Sequence, residues 1–278
     1  LLRVLAFVML VLVLARPQTQ NFWKDQSVEG IDIMLAMDVS TSMLAEDLKP
    51  NRIEAAKLVA QEFISQRPSD NIGLTLFGGE AYTQCPLTTD HATLLGMFEN
   101  VGCELQQSGL ISQGTAIGMG IANAVAHLDA SETKSKIIIL LTDGENNTGE
   151  ISPVTAAELA KDLGIRVYTI SLGSDSAVRG QVATLPNGES YQAAIPSKHD
   201  YGTLEKIASV TGGASYSASD LQSLRNIYKE IDQLEKTKLK VKHQQQKFEA
   251  FQPFALAAFF LLLFALLPSA FFDFIRPE

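Results

Sequence analysis

A run of five branched apolar residues at positions 137–141 most limits the folds open to this chain. Such an uninterrupted run is typical of a strand buried on both faces, in a parallel sheet that carries helices on each side. Residues 31–37 form a second, mostly apolar run of strand length. Stretches with apolar residues at helical spacing lie between the predicted strands. The sequence therefore predicts an α/β fold with a doubly wound, mainly parallel sheet flanked by helices.

The predicted elements alternate along the chain. We predict strands at 31–37, 71–77, 81–85, 137–141, 166–172 and 213–217, and helices at 51–66, 92–100, 114–128, 153–163, 200–210 and 220–234. Gly78-Gly79-Glu80 joins the second and third strands as a hairpin. Pro186-Asn187-Gly188 indicates a turn between 181–185 and 189–194, which predicts a second, smaller hairpin.

Both ends of the chain are apolar and predict membrane segments. No charged residue lies within the span 250–272, which exceeds the roughly 20 residues that a helix needs to cross a bilayer. Residues 4–15 form a shorter uncharged run. Since no small-residue cleavage site follows it, we interpret this run as the last part of a membrane helix whose upstream portion is absent from the sequence.

Taken together, these patterns predict six consecutive segments. They are a truncated transmembrane helix (1–16), a linker (17–30), an α/β domain (31–235), a basic linker (236–249), a transmembrane helix (250–272) and a tail (273–278).

The charge of the chain is unevenly distributed. The formal net charge is −9, but residues 17–235 carry 14 Lys and Arg against 28 Asp and Glu. An acidic body without a basic stripe argues against nucleic acid as a partner, because such binding depends on cations that neutralise phosphate. The acidic balance fits a domain that handles cations.

Oxygen-bearing side chains follow the predicted strands where this fold class places ligands. Asp38, Ser40 and Ser42 follow the first strand with the spacing Asp-x-Ser-x-Ser, Thr115 opens a helix, and Asp143 follows the strand at 137–141. The carboxyl ends of neighbouring parallel strands would bring all five to one crevice. Their hard oxygen ligands suit Mg²⁺, or Mn²⁺, better than zinc. The alternative is a capped turn, in which Asp38 and the serines bond backbone amides before a helix.

These residues resemble the metal-ion-dependent adhesion site of von Willebrand factor type A domains, as found in integrin I domains. The resemblance covers residues 31–234 and implies a Rossmann-like von Willebrand A fold. It also implies that Ser40, Ser42 and Thr115 contact the ion, while Asp38 and Asp143 often act through water. A Glu or Asp of a protein partner would then fill the open position on the metal.

A narrower resemblance is to the bacterial aerotolerance (Bat) proteins, which are membrane-anchored type A domain proteins. It rests on residues 77–90, on the stretch 141–147 that contains Thr142-Asp143-Gly144, and on the flanking apolar segments. The resemblance implies a MoxR-type AAA+ ATPase and sister Bat proteins as partners, in oxygen or stress tolerance. Relatives usually have more sequence upstream, including another membrane helix and a basic loop, and this chain departs from them there.

The favoured function is therefore a membrane-anchored, Mg²⁺-dependent protein-interaction module rather than an enzyme. The alternative is a metal-dependent hydrolase or phosphatase, but phosphatases of that kind use Asp-x-Asp and position 40 is Ser. The sequence has no phosphate-binding Gly-x-x-x-x-Gly-Lys loop and no nucleophile–histidine pair in a sensible context. A purely structural spacer would not need five oxygen ligands.

Several other residues have a functional and a structural interpretation. Glu80 and residues 145–147 are candidates for the rim that selects a partner, although each is also an ordinary polar loop residue. Cys85 and Cys103 are expected to be free thiols, since a disulfide would need an oxidising compartment and close approach. The four scattered histidines show no ligand spacing, and the hairpin at 181–194 is either a docking arm or a variable surface loop.

The orientation in the membrane is predicted from opposing signals. Lysines at 236–247 lie on the domain side of the predicted helix, and by the positive-inside rule they favour the cytoplasm. The resemblance to Bat proteins implies an upstream basic loop that would place the domain in the periplasm. We expect a bacterial inner-membrane protein with a periplasmic domain.

Overall fold

The computed structural model describes residues 30–240, with gaps at 108, 110, 134, 145, 175–177, 185–189 and 196–198, and short pieces near the two ends. The chain divides into two compact units, Val28–Val241 and the pair of segments Leu1–Ser27 and Lys242–Glu278. In the second unit, Gln18–Thr19 pairs antiparallel with Phe248–Glu249. The first unit contains the sheet.

The first unit alternates strands and helices. Its strands are β1 (Asp32–Asp38), β2 (Asn71–Phe77), β3 (Ala81–Thr88), β4 (Lys136–Thr142), β5 (Ile165–Leu172), β6 (Val178–Thr184), β7 (Ser190–Ile195) and β8 (Ser215–Ala218). Its helices are α1 (Arg52–Ser65), α2 (His91–Glu99), α3 (Glu104–Gln107), α4 (Ile117–Asp129), α5 (Pro153–Asp162), α6 (Tyr201–Thr211) and α7 (Leu221–Lys240), and a 3-10 helix spans Thr41–Leu44.

Six strands form one sheet in the order β3-β2-β1-β4-β5-β8, and only β3 runs antiparallel to its neighbour. The chain leaves β1 to one side for β2 and later returns to the other side for β4. The carboxyl ends of β1 and β4 therefore flank a topological switch point, where open α/β sheets bind ligands. Strands β6 and β7 form a separate two-stranded hairpin.

The sheet is buried on both faces, as the apolar runs predict. In β1, Ile33, Leu35 and Met37 belong to a core on one face with residues of α1, α2 and α7. Met34 and Ala36 point into a second core on the other face, with residues of α4, α5 and α6. The predicted three-layer arrangement of a mainly parallel sheet between helices is confirmed.

Several elements differ from the prediction. Strand β3 continues to Thr88 rather than ending at residue 85, α4 begins at Ile117 rather than at residue 114, and α3 was not predicted. Gly114 has a φ of +113°, which a helical residue does not adopt, so α4 begins after it.

Helix α7 continues to Lys240, past the boundary predicted at residue 235. At the predicted boundary lies Glu235, a fully buried carboxylate that accepts hydrogen bonds from Arg166, Ser135 and Tyr168. Since a buried charge needs such partners, these contacts attach α7 to the sheet at residue 235. The lysines that follow made the last turn of the helix resemble a basic linker. The hairpin strands β6 and β7 also begin earlier or end later than predicted.

The predicted membrane segments at 1–16 and 250–272 lie largely outside the described residues, as do the tail at 273–278 and most of the two linkers. Within the described part of the chain, no helix combines the length and the apolar character that crossing a bilayer requires.

Candidate metal centre

The five residues predicted from the motif come together at the carboxyl ends of β1 and β4. Asp38 is the last residue of β1, and Asp143 directly follows Thr142, the last residue of β4. Met37 and Leu141 are paired in the parallel ladder, so the two aspartates leave the sheet side by side. Both side chains are buried, with relative exposures of 0% and 1%.

The Asp-x-Ser-x-Ser segment turns directly into the 3-10 helix. The backbone N–H of Ser40 donates to Oδ1 of Asp38 at 2.8 Å, which fixes the start of the turn. The hydroxyls of Ser40 and Ser42 lie 2.9 Å apart. Ser42 in turn donates to Oδ1 of Asp143 at 2.7 Å. A continuous hydrogen-bonded chain thus joins the loop after β1 to the loop after β4.

Thr115 reaches the same place from the segment that precedes α4. A Cβ built on Gly144 would lie 3.6 Å from Oγ1 of Thr115, so this hydroxyl adjoins the turn that follows Asp143. The backbone N–H of Thr115 donates to Oδ1 of Asn147 at 2.9 Å, and the N–H of Asn147 donates back to the Thr115 carbonyl at 3.1 Å. Ser40 and Thr115 are each 4% exposed, whereas Ser42 and Gly144 are half-buried. Solvent therefore approaches the cluster past Ser42 and Gly144.

Burial raises the pKa of both carboxyl groups. The pKa of Asp38 rises from 3.8 to about 7, first because of burial and second because of the negative charge of Asp143. Hydrogen bonds from Ser40 and from Thr142, whose hydroxyl donates to Oδ2 of Asp38 at 2.6 Å, limit the rise. Burial also raises the pKa of Asp143, and Arg52 and Ser42 oppose that rise. Two carboxylates so close together in a buried site favour either a proton or a bound cation.

Arg52 is a part of the site that the sequence analysis missed. Its side chain is fully buried. Its Nε and Nη2 atoms donate to the two oxygens of Asp47 at 2.8 and 2.6 Å, and Nη1 donates to Oδ2 of Asp143 at 2.6 Å. A signal was available, because Arg52 opens α1 and a positive charge is unfavourable at a helix N-terminus. An arginine at this position therefore favours a carboxylate partner that offsets its charge.

Gln106 is a second residue that the sequence analysis missed. Its side-chain oxygen accepts from the N–H of Thr41 at 3.1 Å, and its side-chain nitrogen donates to the carbonyls of Ser112 and Gly114 at 3.1 and 2.8 Å. This buried amide therefore ties the serine loop to the segment that carries Thr115. Nothing in the sequence pattern of α3 indicated this role.

The predicted rim residues mainly support the backbone. Oδ1 of Asn146 accepts from the N–H of Ile117 at 2.8 Å and so satisfies the start of α4. The carboxylate of Glu80 accepts from the hydroxyl of Ser112. Glu145 lies outside the described residues.

The cysteines and histidines are not among the five residues predicted from the motif. Cys85 and Cys103 are free, as predicted, and both are buried. The thiol of Cys103 donates to the Ser40 carbonyl at 3.2 Å. No group of three or more His, Cys, Asp or Glu side chains in the described part of the chain could hold a metal ion. Any ion bound at the switch point would therefore depend on the hydroxyls as well as on the two aspartates. These are hard oxygen donors, and they match the preference of Mg²⁺ and Mn²⁺.

A six-stranded, mainly parallel sheet with an Asp-x-Ser-x-Ser loop, a threonine and an aspartate at its switch point defines an α/β domain of the von Willebrand A type. The profile of the von Willebrand factor type A domain matches residues 32–230. The chain belongs to this family.

Comparison with individual proteins shows which members of the family are similar to this chain. An uncharacterized protein of Borreliella burgdorferi is 32% identical over 260 residues, which cover 93% of this chain and 74% of that protein. Among solved structures, BatB of Bacteroides thetaiotaomicron is 29% identical with a TM-score of 0.62, covering 74% of this chain and all of that one. An aerotolerance-related membrane protein of Bacteroides fragilis is 28% identical with a TM-score of 0.61, covering 73% and 98%. The chain is thus similar to Bat proteins over its type A domain.

One more distant structure shares the fold and carries a metal. Proximal thread matrix protein 1 of the mussel byssus, solved with zinc in its metal-ion-dependent adhesion site motif, is 24% identical with a TM-score of 0.56. The match covers 74% of this chain and 45% of that one.

Proposed function

We propose that this protein is a membrane-anchored, Mg²⁺-dependent protein-interaction module whose metal is held by Asp38, Ser40, Ser42, Thr115 and Asp143. The observation that carries the proposal is the convergence of three hydroxyls and two buried carboxylates at the switch point of the sheet. When bound, the ion would supply a positive charge that attracts a carboxylate. The residues of this chain would hold it and keep its open side towards solvent.

The donor set explains why such a site would bind a partner rather than act as a closed structural centre. Mg²⁺ takes six oxygens, and it keeps several waters where the protein provides few charged ligands. The three hydroxyls are neutral, so they leave much of the charge of the ion uncompensated. Ser42 and Gly144 are half-buried and border the side from which a partner would approach. A Glu or Asp side chain is the group that best satisfies an exposed hard cation.

The proposed function is binding, without catalysis at this site. A phosphatase of the Asp-x-Asp type would need a second acid at position 40, where the Ser40 hydroxyl contacts Ser42 instead. The structure does bring one serine and histidine together, since the Ser171 hydroxyl lies 2.9 Å from Nδ1 of His199. Ser171 is only 1% exposed, and Nε2 of His199 lies 3.2 Å from the Ser174 carbonyl. A buried hydroxyl in this position is not an accessible nucleophile.

Magnesium is proposed because hydroxyl and carboxylate oxygens prefer hard cations, and Mn²⁺ is the natural substitute. Zinc in the mussel protein supports a divalent ion at this kind of motif. The five proposed ligands include no imidazole or thiolate, which are the donors that zinc usually favours.

We further propose that the protein acts at the bacterial inner membrane, with its domain in the periplasm, and assembles or regulates an envelope complex. The similarity to BatB and to the aerotolerance-related membrane protein supports an association with a membrane. The proposed partners are a MoxR-type AAA+ ATPase and sister Bat proteins in oxygen or stress tolerance, one of which would supply the carboxylate.

The test is direct binding between the purified full chain and the MoxR-type ATPase or sister Bat protein encoded in the same genome. Binding is measured in MgCl₂ and in EDTA, with wild-type protein and with the double variant Ser40→Ala/Ser42→Ala. We expect an interaction in MgCl₂ that is lost both in EDTA and in the double variant. An interaction that is equally strong in all three cases would contradict the metal-dependent function.

A further inference from the structure

Arg52 is the only arginine in the described part of the chain whose side chain is fully buried beside a proposed metal ligand. It forms a bidentate pair with Asp47 and a third bond, of 2.6 Å, with Oδ2 of Asp143. A planar guanidinium with three such bonds holds each carboxylate in a fixed orientation. Oδ2 of Asp143 is committed to Arg52, so Oδ1, which accepts from Ser42, is the oxygen that faces the serine loop.

The residues that follow β5 pack closely against the guanidinium of Arg52. Gly173 has a φ of +103°, and a Cβ at this position would lie only 2.3 to 2.4 Å from the guanidinium atoms of Arg52. The N–H of Ser174 donates to Oδ2 of Asp47 at 2.9 Å. Arg52 is therefore enclosed by the loops after β1, β4 and β5, and its charge has a defined position next to the site.

We propose that Arg52 is a positioning residue that sets how strongly the site holds its metal, an inference that rests on the proposed function. A buried positive charge beside Asp143 repels a divalent cation and cancels part of the negative charge that would bind it. It also prevents Asp143 from offering both oxygens to the ion. The metal is therefore held weakly, and more of its charge remains for an incoming carboxylate.

This arrangement makes the binding of metal and the binding of a carboxylate depend on each other. If a carboxylate tightens the metal, the metal must tighten the carboxylate by the same factor. Arg52 increases this coupling, since it leaves the ion short of negative ligands. Arg52 therefore favours an anionic side chain, rather than a neutral one, as the ligand that a partner brings to the ion.

The test uses the full chain and measures Mn²⁺ affinity by calorimetry, with acetate absent or present at high concentration. In Arg52→Gln we expect Mn²⁺ to bind at least about tenfold more tightly without acetate, because a repelling charge is gone and both oxygens of Asp143 become available. Acetate should then improve the affinity less than in the wild type. Arg52→Lys keeps the charge but not the forked geometry, so its Mn²⁺ affinity without acetate should be closer to that of the wild type than the affinity of Arg52→Gln is.

Arg166→Gln is the matched control. Arg166 is likewise an arginine in an ion pair, with Glu235, but it is less buried than Arg52 and lies at the other end of the sheet. Its loss should destabilise the fold and leave the Mn²⁺ affinity unchanged. If Arg52 were only structural, Arg52→Gln would weaken Mn²⁺ binding, and that result would overturn the inference.

Asp47→Asn provides a second route if Arg52→Gln does not fold. This variant keeps Arg52 and removes its bidentate counter-charge, so Mn²⁺ should bind more weakly and acetate should improve the affinity more than in the wild type. An acetate effect that is equal or smaller would overturn the inference. Absence of Mn²⁺ binding in the wild type, with and without acetate, would instead contradict the proposed function itself.

Discussion

The hydroxyl of Ser42 donates a 2.7 Å hydrogen bond to Oδ1 of Asp143, a residue 101 positions away in the sequence. This bond joins the loop after β1 to the loop after β4, and it places a neutral oxygen donor beside a carboxylate at the switch point of the sheet. The same atoms that stabilise the two loops are thus the ones proposed to bind the ion.

Ser42→Ala tests both roles of this hydroxyl. Removing it leaves Oδ1 of Asp143 without a described donor, which we expect to cost about 1 to 3 kcal/mol in the free energy of unfolding without metal. It also removes a ligand, so Mn²⁺ affinity should fall at least about tenfold. Urea unfolding and calorimetry measure the two effects. Ser209→Ala, at an exposed serine on α6, is the control and should change neither quantity.

Asp38 should make the metal-free domain less stable as the pH rises. Its pKa is about 7 in the folded domain, against an ordinary value of 3.8, so the folded state keeps a proton that the unfolded chain releases. The contribution of Asp38 to stability is therefore fully present below about pH 4 and is lost as the pH rises towards 7. We expect Asp38 to contribute a loss of about 2 to 4 kcal/mol across this interval.

The measurement is urea unfolding in chelator at a series of pH values, for the wild type and for Asp38→Asn. The difference between the two profiles isolates the contribution of Asp38. Asp38→Asn should flatten the fall in stability between about pH 4 and pH 7. A wild-type profile that rises over this interval faster than that of the variant would contradict the raised pKa.

Gln106→Ala tests whether the supporting amide positions the serine loop. It removes hydrogen bonds to the N–H of Thr41 and to the carbonyls of Ser112 and Gly114, and should cost about 1 to 3 kcal/mol in stability. Mn²⁺ should bind more weakly although no ligand is lost. Gln113→Ala, at a nearby exposed glutamine, is the matched control. Unchanged Mn²⁺ affinity in Gln106→Ala would show that the loop keeps its conformation without this support.

Glu235→Ala tests the separate polar cluster at the other end of the sheet. The fully buried carboxylate accepts from Arg166, Ser135 and Tyr168, so its removal should cost about 3 to 5 kcal/mol in stability. Mn²⁺ affinity should not change, because Glu235 lies far from the switch point. Glu230→Ala, at a more exposed position of α7, should have little effect on the stability or on the Mn²⁺ affinity. A change in affinity in Glu235→Ala would indicate that the two ends of the sheet are coupled.

The sequence predicted those features that follow from local patterns. Continuous apolar runs predicted β1 and β4 as strands buried on both faces, and strand ends followed by Asp38 and Asp143 predicted where oxygen ligands would meet. Both inferences depend on short segments and on a general property of parallel sheets. Thr115 was included because it opens a predicted helix, and the family resemblance then implied its contact with the ion. Its position next to Gly144 follows from the fold.

The features that were missed depend on partners distant in the sequence. Arg52 acts through Asp143, 91 residues away, and Gln106 through Thr41, 65 residues away. Charged and amide residues are most often exposed. From the sequence alone, Arg52 and Gln106 are therefore expected at the surface, and only their distant partners explain why they are buried. Glu235 illustrates the same limit, since its burial depends on Ser135 and Arg166, which are 100 and 69 residues away.

The central claim is that the five residues bind a divalent cation, and calorimetric titration of the full chain with Mg²⁺ and Mn²⁺ tests it most directly. The wild type is compared with Asp38→Ala and with Ser40→Ala/Ser42→Ala, and circular dichroism verifies that each variant is folded. The account predicts one saturable site in the wild type and none in either variant. Absence of binding in the wild type, even with acetate present, or equal binding in all three proteins, would contradict it.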